Sequence, residues 1–239
     1  MRSEKDAQRV IRQARHLGAH SAGLADLTDL LNAPSYQGPG QGVNDRTRPG
    51  LFERPAPAGS ILVLALAHPG DQPRLDWWDG RQGTQGNRIL IDISKNIKTW
   101  LTEELNIRAA LLPYQAENGG LYLKDAAVLA GLGVIGANNL LITPKYGPRV
   151  RLRALFLDRP FPTPGPIDFS PCLSCPAPCL AACPQKAFRT GGYALASCDI
   201  RMAWDCAHPL YSEDADEPDR PVVGYCRACE LVCPAGRGD

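Results

Sequence analysis

Nine cysteines are the residues of this chain best suited to chemistry, and they stand at positions 172, 175, 179, 183, 198, 206, 226, 229 and 233 of 239. The first four read Cys172-x2-Cys175-x3-Cys179-x3-Cys183-Pro184, and the last three read Cys226-x2-Cys229-x3-Cys233-Pro234. A disulfide framework does not ordinarily leave the first 171 residues unpinned and crowd every thiol at one end. Metal ligation fits better. Short spacings let one tight loop wrap several thiolates around an iron–sulfur cubane, and both runs end in Cys-Pro, as such runs do. The alternative is a pair of structural zinc sites, which also use Cys-x2-Cys pairs but usually as two plain knuckles.

In bacterial two-cluster ferredoxins the terminal cysteine of each run reaches across to the other cluster. Applied here, Cys172, Cys175 and Cys179 share one [4Fe–4S] cluster with Cys233, and Cys183 joins Cys226 and Cys229 on a second. The second set is one ligand short, and Cys198 or Cys206 must supply it. The first run carries one residue more than the usual spacing, at Pro176-Ala177-Pro178, where a bulge in the loop would absorb it.

Composition narrows the class. Apolar residues make up 44% and charged residues 21%, which excludes a disordered or fibrous chain. Lys and Arg number 26 against 25 Asp and Glu, a balance with no global footprint for nucleic acid or an anionic membrane. The longest apolar run, Ile61 to Ala67, is far short of the roughly 20 residues of a spanning helix, so no membrane partner is expected. The start, MRSEKDAQRV, is charged and lacks an apolar core, so no secretory signal is read and a reducing, cytoplasmic location is expected.

The elements that must position the cysteines read as follows. A first helix runs from Ser3 to Ala14 or Leu17, with Val10, Ile11, Ala14 and Leu17 on one face and Gly18 as its stop. Residues 32–59, rich in Pro and Gly, read as a long irregular loop. Ser60 to Ala67 is a buried strand. Residues 88–105 form the clearest helix, on Ile89, Ile93, Ile97 and Leu101 with Trp100 and Leu105. Ile107 to Leu112 reads as a strand and Leu121 to Ala130 as a helix. Asn139 to Thr143 and Arg149 to Asp158 read as two strands around Pro144–Pro148. The proline-dense segment 159–171 is a stiff connection. The fold class is therefore α+β: an α/β module over 1–158, the connection, and a small double-cluster, ferredoxin-like domain over 172–239.

Several residues have a functional and a plainer reading. Gly131-Leu-Gly133-Val-Ile-Gly136 fits the dinucleotide pattern, but follows a helix and leads to a strand, the wrong order. A tight helix-to-strand crossing explains it as well. Glu117, in a loop, suits a catalytic acid, and Tyr114 is a second candidate. Arg149, Arg151 and Arg153 alternate on one strand face, either to hold an anion or as a solvated edge strand. His68 reads as a packed strand-end histidine or as a ligand. Trp77 and Trp78 could line a flat cofactor or form a core corner, and Glu213 to Asp219 reads as a solvated acidic loop.

The segment AGLGVIGANNLLI (130–142), the strand SILVLALAHP and the ending CRACELVCPAG together resemble the epoxyqueuosine reductases, whose catalytic module is related to that of corrinoid-dependent reductive dehalogenases. The resemblance runs loosely over nearly the whole chain. It implies a nitroreductase-like, corrinoid-binding N-terminal module followed by two [4Fe–4S] clusters. It also implies a reductase that passes electrons from the clusters to a corrinoid (cobalamin) or a small-molecule substrate, with a flavodoxin or ferredoxin-type protein as electron donor.

Carried over by position, Gly131, Gly133 and Gly136 let the backbone approach the corrinoid, Asn138 and Asn139 hydrogen-bond its amides, and Glu117 falls at the place of the family's acid. A cysteine between Cys183 and Cys226 serves the family as a ligand, which favours Cys198 over Cys206. Ala137 stands where the family usually has Lys, and Gly86 and Asn87 where it has an aromatic-His pair. The sequence ends six residues after Cys233, without the family's helical-repeat tail, so tRNA is not expected as a partner. The alternative is an electron carrier that docks a partner corrinoid protein without catalysis of its own.

Overall fold

A computed structural model describes residues 2–36, 58–80, 83–115, 120–188, 192–213, 215 and 219–237. The chain is a mixed α/β protein dividing into two compact units that interleave along the sequence. The first takes residues 1–66, 90–135 and 152–169; the second takes 67–89, 136–151 and 170–239. The last crossing falls inside the proline-dense connection, but two earlier segments also join the cysteine-bearing unit. No helix among the described residues is long and apolar enough to cross a membrane.

The first unit is built on a four-stranded sheet in the order β1-β2-β7-β4, from β1 (Ser21–Asp26), β2 (Ser60–Ala67), β4 (Ala109–Leu111) and β7 (Val150–Leu157). β2 is buried along its whole length, as a near-continuous apolar run requires. Its neighbour β1 pairs antiparallel, with Leu24 opposite Leu62, and sequence reading found no strand there. SAGLAD lacks the β-branched and aromatic residues that announce a strand. Its small residues answer to packing instead: a Cβ on Gly23 would lie 2.4 Å from the Ala130 carbonyl oxygen. Asp26 ends β1 and accepts from the amides of Thr28 and Asp29, capping α2 (Leu27–Leu31).

Helix α1 (Arg2–His16) buries Ala7, Val10 and Ala14, with Ile11 and Leu17 at the margin of the same core. Helix α3 (Gln85–Leu105) buries Leu90, Ile93, Ile97 and Leu101, whereas Ile89 is exposed. The expected every-fourth-residue stripe thus shifts at its start. Each four-residue step drifts about 40° around a helix, and by Ile89 the drift has left the core face while Leu90 has returned to it. β7 lies between β2 and β4, so the three arginines are not on a solvated edge strand.

Helix α4 (Leu123–Leu129) leads through Gly131 (φ +70°) to β5 (Val134–Ile135), the helix-to-strand crossing read from the glycine pattern. The turn at 144–148 is closed by reciprocal hydrogen bonds between Thr143 and Gly147, 2.9 Å each. The strand before it shrinks to β6 (Leu141–Ile142), and β7 takes β2 and β4 as its sheet neighbours, not a hairpin partner.

In the second unit β3 (Trp77–Trp78) pairs antiparallel with β8 (Val223–Gly224), so the tryptophan pair is part of a short ribbon. Helix α6 (Leu195–Ala207) carries Cys198 and Cys206. Two one-turn helices, α5 (Pro178–Ala181) and α7 (Ala228–Leu231), carry Cys179 and Cys229 and touch each other. Ala177 takes a left-handed conformation (φ 52°, ψ 52°) just ahead of Pro178, where the first run carries its additional residue. Most of the loop at 32–59, Glu117, and four residues of the acidic run (Asp214, Asp216, Glu217 and Pro218) lie outside the described residues.

The close fit of β1 gives a stability prediction. Gly23→Ala forces a Cβ against the Ala130 carbonyl and should lower stability by about 1–3 kcal/mol. Urea unfolding should show a lower midpoint at an unchanged slope; an unchanged midpoint would contradict the packing described.

Candidate metal centre

All nine cysteines are free thiols, and the second unit gathers them by short, local means. Cys175 N donates to Cys172 O, Ala187 N donates to Cys183 Sγ at 3.3 Å, and Cys179 and Cys233 are buried. The thiols feel one another in two sets. Burial, then Cys233, then Cys172 hold the Cys179 pKa above its ordinary value. Burial, then Cys226, Cys183 and Cys198 push Cys229 up to about 12. Tyr193 is raised as well, by burial and by a hydrogen bond with Cys198, with Cys229 also contributing.

Buried thiols whose pKa is raised, as those of Cys179 and Cys229 are, stay protonated until a positive centre arrives, and ligation then releases their protons. This donor set, soft sulfur in two groups, fits iron–sulfur clusters by its chemistry. No group of three or more His, Cys, Asp or Glu side chains converges at single-ion spacing among the described residues. Cys206 stands apart: it is exposed, and its sulfur lies 3.3 Å from the Tyr225 hydroxyl.

The C-terminal cysteine loop is fixed by polar side chains that are themselves buried. Asp205 Oδ2 accepts from Cys226 N at 2.8 Å. Asn138 Nδ2 donates to Cys229 O at 3.1 Å. Arg149 donates from Nη1 to Cys233 O at 3.1 Å and from Nη2 to Ala235 O at 2.6 Å. Asp205, Asn138 and Arg149 are all buried. Burial holds the Arg149 pKa below its ordinary value, the neighbouring Arg237 adds to this, and Cys233 works against it.

A second network closes around the same loop. His68 Nδ1 lies 2.7 Å from Asp76 Oδ1, which also pairs with Arg151 Nη2 at 2.9 Å. Arg151 reaches Glu230 Oε2 at 2.9 Å, and Arg227 bonds Glu230 Oε1 and donates to His68 O at 2.5 Å. Arg227 Nη1 stands 2.5 Å from Asp76 Oδ2, at ion-pair distance but outside hydrogen-bonding alignment. His68 is fully buried, its Nε2 has no hydrogen-bond partner, and a Cβ on Gly86 would sit 2.3 Å from that atom. Gly86 therefore makes room for the imidazole. Sequence reading missed this network. Its signal was charge inside an apolar motif, Arg227 and Glu230 within CRACELVCP, and Arg151 on the strand read as solvated.

The residues expected to hold a corrinoid are otherwise engaged. Asn138 spends part of its amide on the protein, donating to Cys229 O and accepting from Leu140 N. Asn139 adopts φ +55° and its N–H closes the turn onto Gly136 O. Gly131 has a positive φ, and a Cβ there would lie 3.0 Å from Pro164 Cγ; one on Gly136 would lie 2.2 Å from Ile142 Cδ1. Those two glycines are required by the fold itself. Gly133 is buried. Tyr114 is exposed, with the Arg153 guanidinium 5.2 Å from its ring centroid.

Asp76 yields a pH prediction. Burial raises its pKa, but the His68 hydrogen bond and the charges of Arg151, His68 and Arg227 outweigh that and hold it below the ordinary carboxylate value. A depressed carboxylate stabilises above its unfolded-state pKa, and the contribution is lost as pH falls through its folded-state value. Asp76→Asn should therefore lower the thermal midpoint at neutral pH, with the gap to wild type closing below the carboxylate range. A gap independent of pH would contradict this.

No family model matches the chain. Epoxyqueuosine reductase from Bacillus anthracis is 28% identical over 212 residues, covering 82% of this chain and 52% of that protein. The Pseudomonas aeruginosa epoxyqueuosine reductase is 36% identical over 118 residues, 48% of this chain and 31% of that one. The tetrachloroethene reductive dehalogenase of Sulfurospirillum multivorans is 32% identical over 121 residues, 47% of this chain and 23% of that one. The chain thus spans about half the length of the first of these relatives. Among solved structures, an epoxyqueuosine reductase bound to an epoxyqueuosine-modified tRNA stem loop matches with a TM-score of 0.65 at 22% identity, over 98% of this chain and 66% of that one. The catabolic reductive dehalogenase NpRdhA matches with a TM-score of 0.63 at 16% identity, over 99% of this chain and 32% of that one. The chain is therefore similar in sequence to epoxyqueuosine reductases along most of its length, and shares a fold with them and with reductive dehalogenases.

Proposed function

We propose that this chain is an iron–sulfur oxidoreductase of the epoxyqueuosine reductase-like group. In this reading Cys172, Cys175, Cys179 and Cys233 hold one [4Fe–4S] cluster, and Cys183, Cys198, Cys226 and Cys229 hold the second. The observation that carries it is that Cys179 lies in the field of Cys233 and Cys172, and Cys229 in that of Cys226, Cys183 and Cys198, whereas Cys206 pairs with Tyr225. When bound, the clusters supply one-electron carriage toward a corrinoid or small-molecule substrate held on the first unit. The chain's own part is to bury the thiols, fix their loop through Asp205, Asn138 and Arg149, and exclude water from the His68–Asp76–Arg227–Glu230 network.

The finer parts of the reading belong to the same proposal: a nitroreductase-like first module, a ferredoxin-like second one, a flavodoxin or ferredoxin-type donor, and a cytoplasmic setting. Cobalamin is favoured by the likeness to a reductive dehalogenase whose structure concerns B12-dependent dehalogenation. The residues expected to hold it fit poorly, since Asn138 is committed to the protein, so no step is derived through it. The tRNA complex of one neighbour weighs against excluding tRNA from the substrate classes. The second reading, an electron carrier serving a partner corrinoid protein, is favoured by that poor fit.

Two experiments test these assignments. Cys198→Ser should lose about half of the visible cluster absorbance of anaerobically purified protein, while Cys206→Ser should keep all of it. The reverse pattern would exchange the ligands. Cobalamin added anaerobically tests the corrinoid reading: a saturable absorbance change that Gly133→Val abolishes would support it. An absence of cobalamin binding, with both clusters present, would move the electron-carrier reading ahead.

A further inference from the structure

We propose that Arg149 sets the reduction potential of the cluster held by Cys233, making it the more readily reduced of the two; this rests on the two-cluster reading above. Arg149 is 9% exposed, and among the described residues its guanidinium bonds to carbonyls, Cys233 O and Ala235 O, and to no carboxylate. The other buried or half-buried guanidiniums around the cysteine loops are neutralised. Arg227 pairs with Glu230 and Asp76, Arg151 with Asp76 and Glu230, and Arg201 with Asp205. Carbonyls solvate a buried cation but do not cancel it, so Arg149, with the Glu230 carboxylate acting on it only from beyond ion-pair distance, leaves a positive field at the Cys233 loop. The equivalent anchor beside Cys229 is Asn138, which is neutral.

The geometry is rigid. Gly147 and Gly236 both have positive φ, +56° and +65°. A Cβ on Gly147 would lie 1.9 Å from Ala235 O, and one on Gly236 would lie 2.0 Å from Gly147 N. The turn and the cysteine loop thus meet backbone to backbone. Arg149 is tied further by its own carbonyl, which accepts from His68 N at 2.9 Å. The cation cannot swing away without separating the two segments.

Reduction adds one negative charge to a cluster, and a fixed positive charge nearby favours that state. Arg149 is thus a positioning residue with an electrostatic duty: it holds the Cys233 loop by its fork and biases the cluster by its charge. Arg237 also lies near, but it is exposed and its field is screened by solvent.

The test is an EPR-monitored redox titration of the anaerobically purified full chain and of Arg149→Gln, Arg149→Lys and Arg237→Gln. In Arg149→Gln one midpoint should fall so that, at the wild-type midpoint, the reduced-to-oxidised ratio drops roughly tenfold, or ~59 mV for one electron. The other midpoint should hold, Arg149→Lys should restore the first, and Arg237→Gln should move neither comparably. Loss of one cluster in Arg149→Gln, with both retained at wild-type midpoints in Arg149→Lys, also supports the proposal. Unmoved midpoints in Arg149→Gln, equal shifts of both, or an Arg149→Lys as displaced as Arg149→Gln would overturn it. A wild-type chain with no iron–sulfur signal would instead overturn the cluster reading, and this assignment with it.

Discussion

A buried thiol beside other thiols resists ionisation, and two cysteines here, Cys179 and Cys229, are held protonated this way. Cys229 feels Cys226, Cys183 and Cys198, and Cys179 feels Cys233 and Cys172. In both cases burial opposes the thiolate first. Such thiols stay protonated in the folded chain until something positive binds them, which makes metal ligation the natural use of their placement. The spacing of the runs allows tight loops, but tight loops alone do not make sites. Cys183 and Cys233 extend each run past its own one-turn helix.

The loop that carries Cys226, Cys229 and Cys233 is short, and the helix inside it is a single turn, too brief to be stable alone. Its order comes from outside. Asp205 holds the Cys226 amide, Asn138 the Cys229 carbonyl and Arg149 the Cys233 carbonyl. Each anchor is a buried polar group whose own requirement for a partner is met by the loop, so anchor and loop satisfy each other. Two of the three, Asn138 and Arg149, come from residues 136–151, which explains why that segment belongs to the cysteine-bearing unit although it lies well before the first cysteine.

Much of the frame was legible. The fully apolar run Ser60–Ala67 and the 3.6-residue pattern of residues 90–101 are strong signals because burial on one side is all they require. The strand Ser21–Asp26 was not legible: its alanines and glycine are chosen by close approach of the Ala130 carbonyl, a tertiary fact invisible to propensity. The two cysteine runs were readable from their spacing. Their anchors were not. Asn138 looked like a ligand-facing amide and Arg149 like part of a solvated stripe, because sequence gives a polar residue's chemistry but not the partner 91 or 84 positions away that absorbs it.

The account stands on two four-thiolate clusters. Iron, acid-labile sulfide and zinc should be counted per chain in anaerobically purified protein. Two [4Fe–4S] clusters require about eight irons and about eight sulfides, with zinc far below stoichiometry. Stoichiometric zinc, or about four irons at full occupancy, would contradict the account.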